Sequence, residues 1–478
     1  MARNISGEGA YRLVGVADSL GHTIAYTLDA SGHRTEEAVR DSGGVLRRRL
    51  RSEYDALGRL ARTLDAAGQA YAFAYDKVGN RVSESAPSVL GRPATGLSYD
   101  AFDRLVQATD PEGGIVKYEY DARDRLARVT DPRSLATVYG HDGLGNETSL
   151  ASPDTGTTTH GLHDEAGNRR QSTDARGRTV THAYDALDRL ASSTWAGEAI
   201  AYAWDQGPHG IGRLSSITDA SGTTQYAYDA AGRVITDTRV ISGVTLTTTY
   251  AYDAAGRLSR ITYPSGRQVS YAYDGAGRVS AVSLTAGGTT TALASSITYS
   301  PFGGITGLAL GPASLAYART YDLDGRVTSY RLGTVTWNLT YDAAGNVTRL
   351  ADPAVPAQDR VFSYDKADRL LSLSTTPSSL NQGYTYDKVG NRLSRTVNGV
   401  ATAYTMATAS NRLAAVGGVS RSYDASGNQL GDGTRAFTYD DRGRMSGATT
   451  PLGPVTYALN ALGQRVRKTV GTVTTAYA

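Results

Sequence analysis

One short phrase recurs along the whole chain: an aromatic residue, Asp, two variable residues, Gly, then Arg or Asn and an aliphatic residue. Tyr252-Asp253-Ala254-Ala255-Gly256-Arg257-Leu258 is its cleanest copy, and Tyr273-Asp274 opens the next, with Gly277 closing it. A period of roughly 20 to 26 residues held over hundreds of residues marks a repeat architecture, in which each unit buries its faces only against its neighbours. Such an array is one continuous body, so length carries no count of ordinary domains.

Each period reads as two antiparallel strands. Between Arg257 and Asp274 the residues are mostly Ser, Thr, Val, Ile and Tyr, which pack well on a pleated surface. The closing Tyr271-Ala272-Tyr273 alternates with period two, so both rings fall on one strand face. Asp then opens a turn, its carboxylate accepting from backbone N–H groups further on. Gly supplies the residue of positive φ. A second, looser turn lies mid-repeat, as in Asp65-Ala66-Ala67-Gly68, Asp219-Ala220-Ser221-Gly222 and Tyr263-Pro264-Ser265-Gly266. Fourteen clear Tyr-Asp copies and seven worn ones, among them His141, His163 and Trp204, give about 21 repeats and about 42 strands. Asp103, Asp124, Asp188 and Asp368 stand where the other copies have Gly, and Asp tolerates the left-handed region better than most residues. That substitution points to a conformational requirement.

The repeat motif is represented by Tyr228, Asp229 and Gly232; Tyr252, Asp253 and Gly256; Tyr273, Asp274 and Gly277; Tyr341, Asp342 and Gly345; and Tyr386, Asp387 and Gly390. There are 31 Tyr but 5 Phe, an imbalance that says the phenolic oxygen is wanted. Longer tips are expected at Ala286-Gly287-Gly288-Thr289 and at Pro353-Ala354-Val355-Pro356, and an insertion, Gln206-Gly207-Pro208-His209-Gly210, interrupts the Trp204 copy.

Other chemistry finds little support. A net charge of +3 gives no nucleic-acid footprint, and Arg47-Arg48-Arg49-Leu50-Arg51 reads as a solvated face. The chain has no Cys, so disulfides and thiolate metal sites are excluded. No apolar run approaches the length of a membrane-spanning helix. The N-terminal Met1-Ala2-Arg3-Asn4-Ile5-Ser6-Gly7 lacks the apolar core of a signal peptide. His160-Gly161-Leu162-His163 has ligand-like spacing, but His163 holds the repeat's aromatic position. Asp322-Leu323-Asp324-Gly325 lacks the remaining oxygens of a calcium loop. No phosphate loop or nucleophile elbow appears. The expectation is a chain with no catalytic residues, no cofactor and no metal.

Tyr228-Asp229-Ala230-Ala231-Gly232-Arg233-Val234 and Tyr386-Asp387-Lys388-Val389-Gly390-Asn391-Arg392-Leu393 resemble the YD-repeat, or RHS-repeat, family, and Tyr299-Ser300-Pro301-Phe302-Gly303-Gly304 is similar to a variant in its bacterial members. The resemblance implies an all-β fold in which antiparallel hairpins form a spiralling sheet, a hollow shell. In bacterial Rhs polymorphic toxins and insecticidal toxin-complex C components, that shell encloses a C-terminal toxin. The expected partners are therefore a toxin cargo domain and the rest of the shell. The expected location is secreted or at the cell surface, as part of a longer protein. Residues 1–478 read as one array cut mid-repeat at both ends, at Arg12-Leu13-Val14 and Tyr477-Ala478, with no separate toxin or core domain. The family's core-associated cleavage segment is missing; Asp110-Pro111-Glu112-Gly113 sits in the register of a mid-repeat turn. The alternative is a cell-surface binder of carbohydrate or another partner, adhesin-like, using Trp195, Trp204 and Trp337. The even spread of Tyr favours packing, and the Trp204 insertion is the one place that departs from it.

Overall fold

A phrase that sets a turn every dozen residues leaves room for short strands and little else. The computed structural model, which describes residues 4–8, 12–376 and 378–477, has 46 strands among them against the 42 expected from the repeat count. Met1-Ala2-Arg3, part of the segment read for a signal peptide, and Ala478, part of the C-terminal break, lie outside the described residues. Strands pair antiparallel with their chain neighbours, the longest sheet holding 39 of them. Three single turns of 3-10 helix, Ser88–Leu90, Pro356–Gln358 and Ser378–Leu380, are the helical elements described.

Two compact units can be told apart: Met1–Val116 with Val269–Ala401, and Lys117–Gln268 with Thr402–Ala478. In the first, Thr23–Leu28, Arg34–Arg40, Leu46–Tyr54 and Leu60–Leu64 follow one another across the sheet. In the second, Leu214–Asp219, Gly222–Tyr228, Val234–Ile241 and Val244–Tyr252 do the same.

Almost every Tyr-Asp hairpin carries a β-bulge at the same place. Tyr250 faces Ile261 and Ala251 faces Arg260, but Tyr252 faces Leu258, so Ser259 is the extra residue. The shift recurs before Tyr228, Tyr341 and Tyr386. A bulge bends its strand and raises the local twist, so curvature is written into each repeat. Ala286-Gly287-Gly288-Thr289 is a correction to the sequence reading. Its strands, Val279–Ala286 and Thr289–Tyr299, run up to a two-residue turn, and the extra length is strand rather than loop.

There is little conventional core. The accessible surface is 25867 Å² for 50.4 kDa, where a compact monomer of that mass would expose about 17,000 Å². Val39, Ile200, Ile217, Ile241 and Val466 are the larger buried aliphatic residues. The strands are instead tied by backbone ladders and by the polar contacts of the repeated phrase.

Candidate functional site

In the turn at Asp253, the Asp253 N–H donates to the Arg257 carbonyl at 2.8 Å and the Gly256 N–H to the Asp253 carbonyl at 2.9 Å. Asp253 Oδ1 accepts from the Ala255 and Arg257 N–H groups, each at 2.9 Å, and Oδ2 accepts from Arg257 Nε at 2.7 Å. Asp229 and Asp274 hold the same set with Arg233 and Arg278. Asp342 and Asp387 replace the guanidinium by the amides of Asn346 and Asn391. Gly232, Gly256, Gly277, Gly345 and Gly390 all have positive φ, between 79° and 101°.

The tyrosine hydroxyl leaves its own repeat. Tyr252 Oη donates to the Val234 carbonyl at 2.8 Å, Tyr228 to Leu214 at 2.6 Å, Tyr341 to Val327 at 2.7 Å and Tyr386 to Leu370 at 2.9 Å. Each acceptor follows the Arg of the preceding copy, which stands after Gly in three of them and after Asp368 before Leu370. Trp204 does the same through Nε1, to the Leu190 carbonyl at 2.9 Å. Phe has no such donor, which accounts for its scarcity. Tyr273 ends the strand Gln268–Tyr273 in the same register position. Exchanging Tyr252 for Phe is expected to cost about 1 kcal/mol, read as faster amide exchange in Val234–Ile241 and Val244–Tyr252. Unchanged protection there would rule out the hydroxyl as a tie between repeats.

The Arg or Asn that follows the positive-φ residue belongs to the phrase but was given no role from the sequence, and it ties several groups together. Arg233 pairs with Asp229 and lies 4.4 Å from the centre of the Tyr252 ring; Arg369 pairs with Asp365, sits over Tyr386 and donates to the Asp387 carbonyl at 2.7 Å. Where Asn stands there, it selects its neighbour. Asn80, Asn168 and Asn346 donate to Asp103, Asp188 and Asp368 one copy later, at 2.7, 2.8 and 2.6 Å. Those aspartates, with Asp124, occupy the glycine position at φ from 58° to 63°. The exchange of Gly for Asp thus keeps the backbone conformation and adds a bond across the repeat.

The mid-repeat turn proves to be a docking element. In the first unit, the Ala66 N–H donates to Asp324 Oδ1 at 2.7 Å, Tyr71 Oη to the Ala344 carbonyl at 3.2 Å, and Glu112 Oε1 accepts from the Lys366 N–H at 2.8 Å. In the second, Arg133 donates to the carbonyls of Ser410 and Ala407, each at 2.7 Å, and Arg176 to those of Asp440 and Asp441, each at 2.9 Å. The Ala461 N–H donates to Asp219. Partners are 254 to 277 residues apart except at Asp219, where 242 separate them. Mid-repeat turns of an early stretch meet Tyr-Asp turns of a late one, layer on layer.

These contacts absorb most of the residues weighed for other chemistry. Asp110-Pro111-Glu112-Gly113 forms the turn, with Asp110 Oδ1 accepting from the Glu112 and Gly114 N–H groups. Asp322 and Asp324 both engage Arg326. His160 is buried, with Nδ1 at 2.8 Å from Ser172 Oγ and Nε2 at 3.0 Å from Glu147 Oε1, and burial lowers its pKa. Among the described residues no His, Asp and Glu group could hold a metal ion. The arginine run keeps the solvated face expected of Arg47 and Arg48, whose side chains are 53% and 42% exposed, but its charges are engaged. Arg47 pairs with Asp41 and Arg48 with Glu37, while Arg49 and Arg51 donate to the carbonyls of Ala66 and Asp65. The Trp204 insertion is closed by Arg213, which donates to the His209 and Ile211 carbonyls, and Arg189 covers the Trp204 ring at 5.0 Å. No helix among the described residues is long and apolar enough to cross a membrane.

The turn network also fixes a response to acid. The Arg125 guanidinium holds Asp121 at about 2, and those of Arg233 and Arg257 hold Asp229 and Asp253 below the ordinary carboxylate value. A pKa lower in the folded state adds stability above the unfolded value, about 3.9, which is lost as pH falls through the folded one. Thermal melts should therefore be flat from about pH 7 to 5 and drop between about pH 4 and 2. A fall already complete at pH 5 would show that other groups control acid unfolding.

Seven stretches match the family model RHS Repeat: residues 54–88, 99–134, 120–157, 163–199, 210–245, 238–268 and 252–291. No curated protein sequence matches the chain. Among solved structures, the Photorhabdus luminescens Tc holotoxin pore with a mutated TccC3 superposes at a TM-score of 0.84 and 16% identity, covering 97% of this chain and 29% of that one. TcdB2-TccC3 gives 0.81 at 18% identity, covering 97% and 30%. TcdB2-TccC3 without its hypervariable C-terminal region gives 0.81 at 18%, covering 97% and 29%. At these identities the likeness is one of fold. The chain spans under a third of the length of each.

Proposed function

This chain carries RHS repeats, and on that premise we propose that it is a structural, non-catalytic segment of a toxin shell that encloses a C-terminal toxin cargo and takes part in its delivery. The observation that carries the reading is the fold shared with Tc toxin chains over 97% of this chain. One of those structures is TcdB2-TccC3 without its hypervariable C-terminal region, a region that in this reading would be the cargo. The chemistry of the repeat agrees with a wall. The Asp, Gly, Arg and Tyr of the phrase are engaged in their own turn or with an adjacent hairpin. The fifteen motif residues, from Tyr228, Asp229 and Gly232 to Tyr386, Asp387 and Gly390, are in this reading framework residues. Location outside the producing cell, as part of a longer polypeptide, follows from the same role.

The test is a graft. Residues 12–476 would replace the matching stretch of TcdB2-TccC3, and protease protection of the C-terminal region would be compared with the parent. Protection equal to the parent's is expected. A folded graft whose C-terminal region is digested as fast as the free region would refute enclosure.

A further inference from the structure

The backbone ladder of the second unit thins at one place. Leu413–Val416 meets Val419–Ser420 through two residue pairs, Ala415 with Ser420 and Val416 with Val419. At Arg421 the pairing breaks, and Ser422–Tyr423 begins a separate sheet. Ser422–Tyr423 meets Gln429–Gly431 through two pairs, and Gln429–Gly431 meets Ala436–Tyr439 through one, Gly431 with Ala436. The other pairings described in this unit have three to seven. The cause is in the sequence. The copies at Tyr423 and Tyr439 stand closer together than the usual period, and the strands between 413 and 439 are cut to two to four residues.

Apolar packing does not make up the difference. From 413 to 439 the one buried residue is Asp432, and no aliphatic or aromatic side chain is buried. The tyrosine bonds are internal to the stretch: Tyr423 Oη donates to the Leu413 carbonyl at 2.8 Å and Tyr439 Oη to that of Gln429 at 2.9 Å. The copies on either side have Met406 and Leu459 in the aromatic place. Neither has a hydroxyl to donate, so the chain of tyrosine bonds is interrupted on both sides.

The stretch is fastened by side chains instead. Arg412, at its edge, donates from Nε to the Asp154 carbonyl at 2.7 Å, and from Nη1 and Nη2 to the Asp424 and Ala425 carbonyls at 3.2 and 3.0 Å. One guanidinium thus pins the turn at 424–427 to the early turn at 152–156. The two lie so close that a Cβ on Gly427 would meet the Asp154 carbonyl. Arg176 adds a looser pair with Asp424, at 3.9 Å.

We propose that residues 413–439 are a strap, a segment that opens as one unit while the ladders beside it stay closed, with Arg412 as its clasp. Local opening arises where backbone pairing is sparse and apolar burial small, and both conditions meet here. The open strap gives a protease its first entry, at Arg421 and Arg435 within it. The inference does not depend on a cargo.

Hydrogen exchange of the full chain, in urea below its unfolding transition, tests it. Amides at 413–416 and 429–439 should exchange together, about tenfold or more faster than those of Met445–Thr450 and Gly453–Leu459. R412A should speed that exchange about another tenfold, through the loss of charge-assisted bonds, and leave 445–459 unchanged. Trypsin acting on the native chain should cut first at Arg421 or Arg435, and sooner in R412A, because cleavage follows the open population. The wild-type pattern decides even if R412A does not fold. Protection at 413–439 equal to that at 445–459, residues that fray one after another, or first cuts outside the stretch would each overturn the strap. A folded R412A with unchanged exchange would overturn the clasp.

Discussion

Gly222→Val is expected to be among the most damaging single substitutions in the chain, at about 4 kcal/mol. Gly222 closes the mid-repeat turn that Asp219 opens, at φ 142°, a conformation that side chains rarely adopt. A Cβ there would run into the Val240 carbonyl of the paired strand. That obstacle is backbone and cannot swing aside, unlike the Arg233 guanidinium that a Cβ on Gly256 would meet. The hairpin also carries Ile217 and Ile241, two of the few buried aliphatic residues, so its opening takes that packing with it. Amide exchange in 214–241 should approach that of an unprotected loop. A variant that melts with the wild type would mean that the turn relaxes freely, and Gly256→Val should then be harmless as well.

Arg133→Ala should cost about 3 kcal/mol, because one guanidinium serves the Ser410 and Ala407 carbonyls and Asn411 Oδ1. Asn411 is in turn held by Asp131 and Asp154, so the loss spreads through one polar cluster. Lysine should rescue only in part, since a single ammonium cannot span the fork. Exchange protection at 407–412 should fall while the strands Leu126–Thr130 and Ala136–His141 keep theirs. Equal loss in both would place the effect on the early hairpin and not on the layer contact.

The contrast between these two sites marks what the sequence could carry. The turn was readable because Asp, Gly and the tyrosine hydroxyl act within one or two copies, and a periodic chain repeats its local chemistry in plain sight. The need for positive φ could be read from Asp103, Asp124, Asp188 and Asp368 standing in for Gly. The bulge opposite each tyrosine was not readable, because it changes register without changing residue type. The layer contact was hidden for another reason. Its partners lie some 250 residues apart, and a mid-repeat turn such as Asp110-Pro111-Glu112-Gly113 looks the same whether or not Glu112 reaches Lys366. One signal was available and passed unread: Asn80, Asn168 and Asn346 each precede, by one copy, an Asp in the glycine place. The Trp204 insertion misled in the opposite sense, since its departure from the pattern is closed internally by Arg213.

The direction of the tyrosine bond has a consequence for how such a chain is made. Tyr75, Tyr228, Tyr252, Tyr341 and Tyr386 all donate to a carbonyl that lies 14 to 18 residues earlier. As the polypeptide leaves the ribosome, each new tyrosine finds its acceptor already synthesised, and only the arginine, asparagine and layer contacts wait for residues still to come. Domains fold as units from the N-terminal side during synthesis, and here the unit of growth shrinks to one repeat. The nascent chain can lengthen like knitting, each row cast onto the last by its tyrosine.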